Sequence, residues 1–296
     1  MIIVNINGGL GNQMFQYALG ESLSIEQKTE LKLYVKEVTE RNNHNGFELQ
    51  NVFNITSGVA TDVERKLVLG TRYTHRLIKL LRSKKLNFLR GKHYIVEQSF
   101  NYDKNIKNIP INVFIRGFWQ SEKYFLNYRE EILKEFSFKN KFSDENLTIA
   151  KKIQEKISVA IHVRRGDYIS NPGASKTFVS LDVTYYQKAI ERLALDIPHA
   201  LLVFFSDDIN WVKNHIIDQL LSDYQFIIID NNKGNESYND MHLMSLCSHN
   251  IIANSSFSWW GAWLNKNPGR KVIAPKKWFL IDKNTDNLYP KNWIKI

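Results

Sequence analysis

ISVAIHVRRGDY, residues 157–168, is the stretch that decides the architecture. Residues 157–163 read as a strongly apolar strand, and two arginines, a glycine and an aspartate leave its carboxyl end. Outward from it the same rhythm repeats. Strand candidates at 200–205, 225–230, 250–253 and 271–274 alternate with helical stretches at about 182–195, 209–221, 237–248 and 256–264. Asp182 is placed as an N-cap, and Pro198 closes the connection that follows its helix. Alternating strands and helices predict a parallel sheet with helices on both faces, whose ligands bind at the carboxyl ends of the strands. The first half opens alike, with a strand at 2–6, a glycine turn and a helix at about 12–27. Less regular strand candidates follow at 31–35, 94–98 and 113–116, and the polar stretch 139–156 reads as a hinge. Two domains are therefore expected, 1–150 and 151–296.

Composition narrows the class. An apolar fraction of 43% and a charged fraction of 24% over 296 residues are those of a globular protein. No apolar run approaches the roughly 20 residues that span a bilayer. The opening MIIVNINGGL has neither a basic region nor a long apolar one, so the expectation is a cytoplasmic chain. Cys247 is the only cysteine, which excludes an intrachain disulfide and a cysteine-rich metal site.

Four polar clusters fall at strand ends. Gly8-Gly9-Leu10-Gly11-Asn12-Gln13 follows the first strand, but Met14 stands where a dinucleotide fingerprint needs its third glycine. A plain strand-to-helix turn explains the glycines; Asn12 and Gln13 on the first helical turn favour a ligand. His162, Arg164 and Arg165 end the strand quoted above. Guanidinium groups stay charged and grip phosphate oxygens bidentately, so the pair suits a diphosphate, with a surface Arg–Asp ion-pair network as the alternative. Ser206-Asp207-Asp208 follows 200–205; its carboxylates suit a metal, a proton or a guanine edge, and one of them an N-cap. An Asp-x-Asp triplet is absent from the chain, so no metal is expected. Asn254-Ser255-Ser256-Phe257-Ser258 offers hydroxyls at a helix start, whereas Trp260 and Trp263 beyond it read as packing. A fifth patch, Arg116-Gly117-Phe118-Trp119-Gln120-Ser121-Glu122, sets aromatics beside amide and carboxylate groups, as a sugar face or ordinary packing would.

Taken in order, these segments resemble the bacterial α-1,2-fucosyltransferases of glycosyltransferase family 11. The resemblance rests on GGLGNQMFQYA (8–18), GFWQSEKYF (117–125), HVRRGDY (162–168), FSDD (205–208) and NSSFSWWGAWL (254–264), and so covers nearly the whole chain. It implies an α/β, GT-B-like fold, two Rossmann-like domains facing each other across a cleft. Residues 1–150 would be the acceptor side and 151–296 the GDP-fucose-binding side. It implies metal-independent, inverting transfer of L-fucose from GDP-β-L-fucose to O2 of a terminal β-galactoside, in surface-glycan or O-antigen synthesis. Beyond that donor no cofactor is expected, and the acceptor is a galactose-terminated glycan such as lactose or a lipid-linked oligosaccharide.

By the same resemblance Arg164 binds the β-phosphate and stabilises the leaving GDP, with Arg165 close behind. His162 with Asp207 or Asp208 recognises guanine; Asn254, Ser255, Ser256 and Ser258 hold phosphate or ribose; Asn12 orders the donor from the opposite domain. Trp119, Gln120 and Glu122 face the acceptor. Asp167 and Glu122 are candidate bases by residue type, and neither is assigned. A GDP-fucose transferase with another acceptor or linkage is the nearest alternative.

The charge of the chain is concentrated. Its 40 basic and 30 acidic residues leave +10, and residues 65–92 hold ten basic residues and no acidic one. Leu77, Ile78, Leu80, Leu81, Leu86 and Leu89 interleave with them. Such a stretch is a solvated face or a peripheral contact with an anionic membrane. No nucleic-acid motif accompanies it, and a non-catalytic basic protein binding anionic lipid or nucleic acid leaves the strand-end clusters unexplained.

Overall fold

The computed structural model describes residues 1–41, 45–220 and 224–296; the side chains of Arg41, His75, Lys84, Asp167 and Leu220 lie outside that description. The chain folds as two compact units, residues 1–139 with 284–288, and residues 140–283 with 289–296. Each holds one wholly parallel sheet, in keeping with the α/β class expected.

In the first unit, β1 (Ile2–Asn5), β2 (Leu31–Tyr34), β3 (Gly58–Val59), β4 (Tyr94–Val96) and β5 (Val113–Arg116) lie in the order β3-β2-β1-β5-β4. The order reverses between β1 and β5, so the loops leaving those two strands flank a crevice of the kind that binds ligands in doubly wound sheets. The helix Leu10–Gln27 follows β1 directly and is buried along most of its first four turns.

The second unit orders β6 (Ser158–Val163), β7 (Leu201–Ser206), β8 (Phe226–Ile229), β9 (His249–Ile251), β10 (Val272–Ala274) and β11 (Ile294–Lys295) as β11-β10-β9-β6-β7-β8. Here the reversal lies between β6 and β9. Alternate residues of β6 and β7 feed two cores. Val159, Ile161, Val163, Leu202 and Phe204 pack with Tyr186, Ala189, Ile190 and Leu193 of the helix Val183–Ala194. Ala160, Leu201, Val203 and Phe205 pack on the other face with Ala150, Ile153, Leu243 and Met244. A strand covered on both faces has no polar side, which is why 157–163 is so apolar.

The expected organisation is corrected at the junction of the two halves. The junction of the units falls at the very start of the stretch 139–156, and most of that stretch is the helix Asp144–Gln154, whose N-cap Ser143 accepts the Asn146 N–H at 3.3 Å. The second unit therefore starts at Asn140 rather than at 151. The helix expected at 209–221 is present from Ile209 to Leu220, with a wider π-type turn at Val212–Ile217 inside it; its last expected residue lies outside the described ones. Residues 65–92 lie in and between three short helices, Asp62–Leu69, His75–Leu80 and Lys84–Leu89. Trp259, Trp260 and Trp263 are buried against one another and Trp293, as packing residues should be. Among the described residues no helix is long and apolar enough to cross a membrane.

Candidate functional site

In the second unit the loops leaving β6, β7 and β9 meet at the reversal of strand order. Parallel register sets His162 beside Phe205 and Val163 beside Ser206, so the Arg164–Gly166 turn faces the Asp207–Asp208 turn. Arg164 Nη1 lies 3.1 Å from Asp207 Oδ2, and the Arg165 backbone N–H donates to Asp207 Oδ1 at 2.9 Å. One carboxylate thus holds both the first guanidinium and the peptide that carries the second. The contact demands a small residue nearby, since a Cβ on Gly166 would stand 3.0 Å from Asp207 Oδ2.

Arg165 is held more firmly. Its guanidinium lies 4.1 Å from the Trp211 ring centroid, its Nη1 donates to Ser180 Oγ at 3.3 Å, and its Nε is 3.9 Å from Asp208 Oδ2. Asp208 Oδ1 accepts the Trp211 N–H at 3.1 Å, so this aspartate is the N-cap and Asp207 the arginine partner. Arg164 stands 5.9 Å over the ring of Tyr168, which stacks on Phe178 at 4.7 Å and donates its hydroxyl to the Asn254 carbonyl. His162 is buried with its ring 6.0 Å from that of Phe257.

The segment after β9 is pinned before its helix begins. Burial pushes the Tyr185 hydroxyl well above its ordinary range, so it stays a donor, and it bonds the Ile252 carbonyl at 2.6 Å. Asn254 is fully buried and donates to the Val179 and Trp278 carbonyls at 2.8 and 2.9 Å. Ser255 caps the helix Ser256–Trp263 by accepting the Phe257 N–H, and the buried Ser258 hydroxyl donates to the Ser255 carbonyl. Asn254 and Ser258, expected on the donor, therefore turn inward as scaffolding. Ser256, only half-buried on the first turn, is the serine left toward solvent, beside a helix end that favours anions.

The first unit presents a second polar group at its own reversal. Gly8 takes φ +82°, and a Cβ there would stand 2.8 Å from Asn12 Nδ2. Gln120 Nε2 donates to Asn12 Oδ1 at 2.6 Å, joining the β1 and β5 loops. Gln13 is fully buried, donating to the Gly8 and Gly46 carbonyls and accepting the Glu48 N–H, so it is a structural knot rather than a ligand group. Gln16 likewise ties Asn7 to the Gly117 carbonyl.

Trp119 is corrected as an acceptor residue: it is 2% exposed and meets Tyr124 edge-on at 5.5 Å. Its turn has φ +56°, fixed by Glu97, whose carboxylate accepts the N–H groups of Phe118 and Trp119 at 2.9 and 3.0 Å. Phe118 is the aromatic that faces solvent in its place. Glu122 is half-buried just after the Ser121 cap of the turn Glu122–Tyr124. The Asp167 side chain lies outside the described ones. Glu97, Trp211 and Ser180 had carried no local signal, because each acts on a partner remote in sequence.

The sequence pattern of glycosyl transferase family 11 matches residues 65–296. An α-1,2-colitosyltransferase of Escherichia coli is 35% identical over 306 residues, 100% of this chain and 99% of that one. The O-antigen biosynthesis glycosyltransferase WbnK, also of Escherichia coli, is 33% identical over 307 residues, 98% of this chain and 99% of that one. In fold, the chain superposes on the α-1,6-fucosyltransferase NodZ soaked with GDP-fucose with a TM-score of 0.54 at 14% identity, over 89% of this chain and 92% of that one.

Proposed function

The chain belongs to glycosyl transferase family 11, and from that membership we propose that it transfers L-fucose from GDP-β-L-fucose to O2 of a terminal β-galactoside, with inversion, in building an O-antigen-type surface glycan. The observation that carries the reading is Arg164, oriented by Asp207 and Tyr168 at the carboxyl end of β6.

The chemistry follows from that placement. In a single displacement the bond from the sugar's anomeric carbon to the β-phosphate oxygen breaks as the acceptor oxygen attacks the opposite face. Negative charge grows on the departing diphosphate, and a guanidinium already held in place stabilises it more in the transition state than in the ground state. Arg164, partly exposed and held through one Nη to Asp207, is the arginine we assign to that phosphate. Arg165, stacked on Trp211 and bonded to Ser180, positions the Asp207–Asp208 turn. Asp208 Oδ2, with its nearest cation 3.9 Å away, is the carboxylate oxygen we assign to the guanine N–H groups, alongside His162. Ser256, at the helix start, takes phosphate or ribose, with Ser255 holding the turn beneath it as the helix cap. Because guanidinium supplies the charge, the reaction is proposed to need no divalent cation. Asn12 and Gln120 are assigned to sugar hydroxyls through the polar atoms their mutual bond leaves over.

Purified protein incubated with GDP-fucose, lactose and EDTA tests this directly. Expected are GDP release and a product whose new linkage is α-1,2 by NMR. GDP release without product retains the donor and discards the acceptor; no GDP protection against thermal unfolding discards the reading. Asp167→Asn and Glu122→Gln assign the base: its variant loses the acidic limb of the pH profile of kcat/KM.

A second reading is favoured by the 35% identical colitosyltransferase. Colitose is fucose without its 3-hydroxyl, so the two donors differ by one polar contact. Paired kcat/KM values with GDP-fucose and GDP-colitose decide between them: a site built to bond the 3-hydroxyl rejects the deoxy sugar strongly.

A further inference from the structure

Residues 65–92, with the chain's largest concentration of positive charge, take no part in the site described above. Folding divides their basic residues into two sets. Arg65 is buried, bonded to Asp62 and to the Tyr73 carbonyl at 3.2 Å each. Arg82 pairs with Glu37, a carboxylate also held bidentately by Arg116. Arg90 donates to the Leu81 and Ser83 carbonyls at 2.8 and 3.0 Å. These arginines build the segment. Lys66, Arg72, Arg76, Lys79, Lys85 and Lys92 are exposed.

The apolar residues divide the same way. Ile78 and Leu81 are buried with Tyr94 and Phe114, and Leu86 packs against them. Leu80, Phe88 and Leu89 point outward and are 58%, 75% and 53% exposed. The Arg90 bonds fold the end of Lys84–Leu89 back onto the end of His75–Leu80. Leu80 and Leu89, chain neighbours of the bonded Leu81 and Arg90, are thereby brought to one tip, and the exposed Arg76, Lys79 and Lys85 lie within four residues of one or the other along the chain. Large exposed apolar side chains interleaved with exposed cations, in a stretch of sequence without an acidic residue, call for an occupant that is both anionic and apolar.

We propose that this tip docks on an anionic phospholipid bilayer, with Leu80, Phe88 and Leu89 entering the headgroup boundary and Arg76, Lys79 and Lys85 among the lipid phosphates. Charge complementarity selects that occupant. A second copy of the same face would bring like charges together, and a nucleic acid would find only Phe88 to stack upon.

The full-length protein is sedimented with vesicles of phosphatidylcholine alone and of phosphatidylcholine mixed with phosphatidylglycerol. Binding is expected only to the mixture, and weaker as salt rises. The triple variants Leu80→Ser/Phe88→Ser/Leu89→Ser and Arg76→Glu/Lys79→Glu/Lys85→Glu are each expected to lower partitioning by about tenfold or more while melting as the parent does. The unmodified chain supplies a second measurement: anionic vesicles should shield Lys79 and Lys85 from acetylation, read by mass spectrometry, and neutral ones should not. Equal binding to both vesicles, undiminished binding by either variant, or unshielded lysines would overturn the proposal. So would sedimentation showing a dimer that Phe88→Ser dissociates, or RNA binding lost on charge reversal, with no vesicle binding in either case.

Discussion

The side-chain amide of Gln120 donates to Asn12 Oδ1 at 2.6 Å, a bond between residues 108 apart in sequence. It spans the two loops at the reversal of the first sheet. Each partner keeps further hydrogen-bonding capacity, Gln120 its carbonyl oxygen and Asn12 its amide N–H. A pair that orients two amides at a strand-end crevice is suited to reading sugar hydroxyls.

Asn12→Ala and Gln120→Ala are each expected to cost about 1 kcal/mol of stability, and the double variant less than their sum. If the pair faces sugar, KM rises about tenfold in each single variant with a smaller fall in kcat. Denaturant unfolding and steady-state kinetics on the four proteins of the cycle measure both. Additive stability losses would show that the bond contributes nothing of its own.

Arg164→Ala is expected to lower kcat by about 100- to 1,000-fold, the range found when one preorganised donor to a developing anion is removed. Arg164 is partly exposed, so its loss should shift the unfolding free energy by only about 1 kcal/mol. Arg164→Lys restores the charge without the fork and should recover only part of the rate. A fully active Arg164→Ala enzyme removes the phosphate assignment.

How far these residues could be read from sequence depends on the range of the forces that place them. β6 and β7 were legible because burial on both faces leaves an unbroken apolar run, and the polar residues that interrupt it mark the crevice. Asp182 was legible as a cap because its bond to the Tyr185 N–H is local. The helix Asp144–Gln154 was not, since Ala150 and Ile153 are thin apolar anchors among charged neighbours. β3 and β11, two residues each, are too short to show a period. Gln13 and Trp119 looked like ligand groups because the groups that satisfy or direct them, the Gly46 carbonyl and Glu48 N–H for one and the Glu97 carboxylate for the other, are remote in sequence. Asp207 and Asp208 were separated only when the Trp211 N–H chose one of them.

Glu97 supports the β5 loop by accepting two backbone N–H groups next to a residue at φ +56°. Glu97→Ala leaves both donors and the left-handed turn without support. A loss of about 2–3 kcal/mol is expected, because bonds to a charged acceptor exceed neutral ones and the donors lose their partner. Glu97→Gln keeps one acceptor oxygen and should recover about half. If the turn carries acceptor contacts, activity should follow the same order, checked with the lactose assay at temperatures where both variants are folded.

Asp240 sits in the first turn of the helix Tyr238–Leu246 and accepts from Asn232 Nδ2 at 2.8 Å. Burial pushes its carboxyl up to about 7, and the Asn232 bond offsets this only in part. Its folded pKa therefore lies above its unfolded one, near 3.8. As pH rises between the two, the unfolded chain sheds a proton that the folded chain retains, so stability falls across that window and levels off above it. Asp240→Asn removes the titration and keeps an acceptor for Asn232. At about pH 8 the variant should be more stable than the parent by ~1 kcal/mol, or ~3 °C in Tm, and near pH 4 the two should converge. Thermal unfolding across that range checks the sign: a variant less stable at every pH would mean that the ionised carboxylate holds the helix start, outweighing its burial.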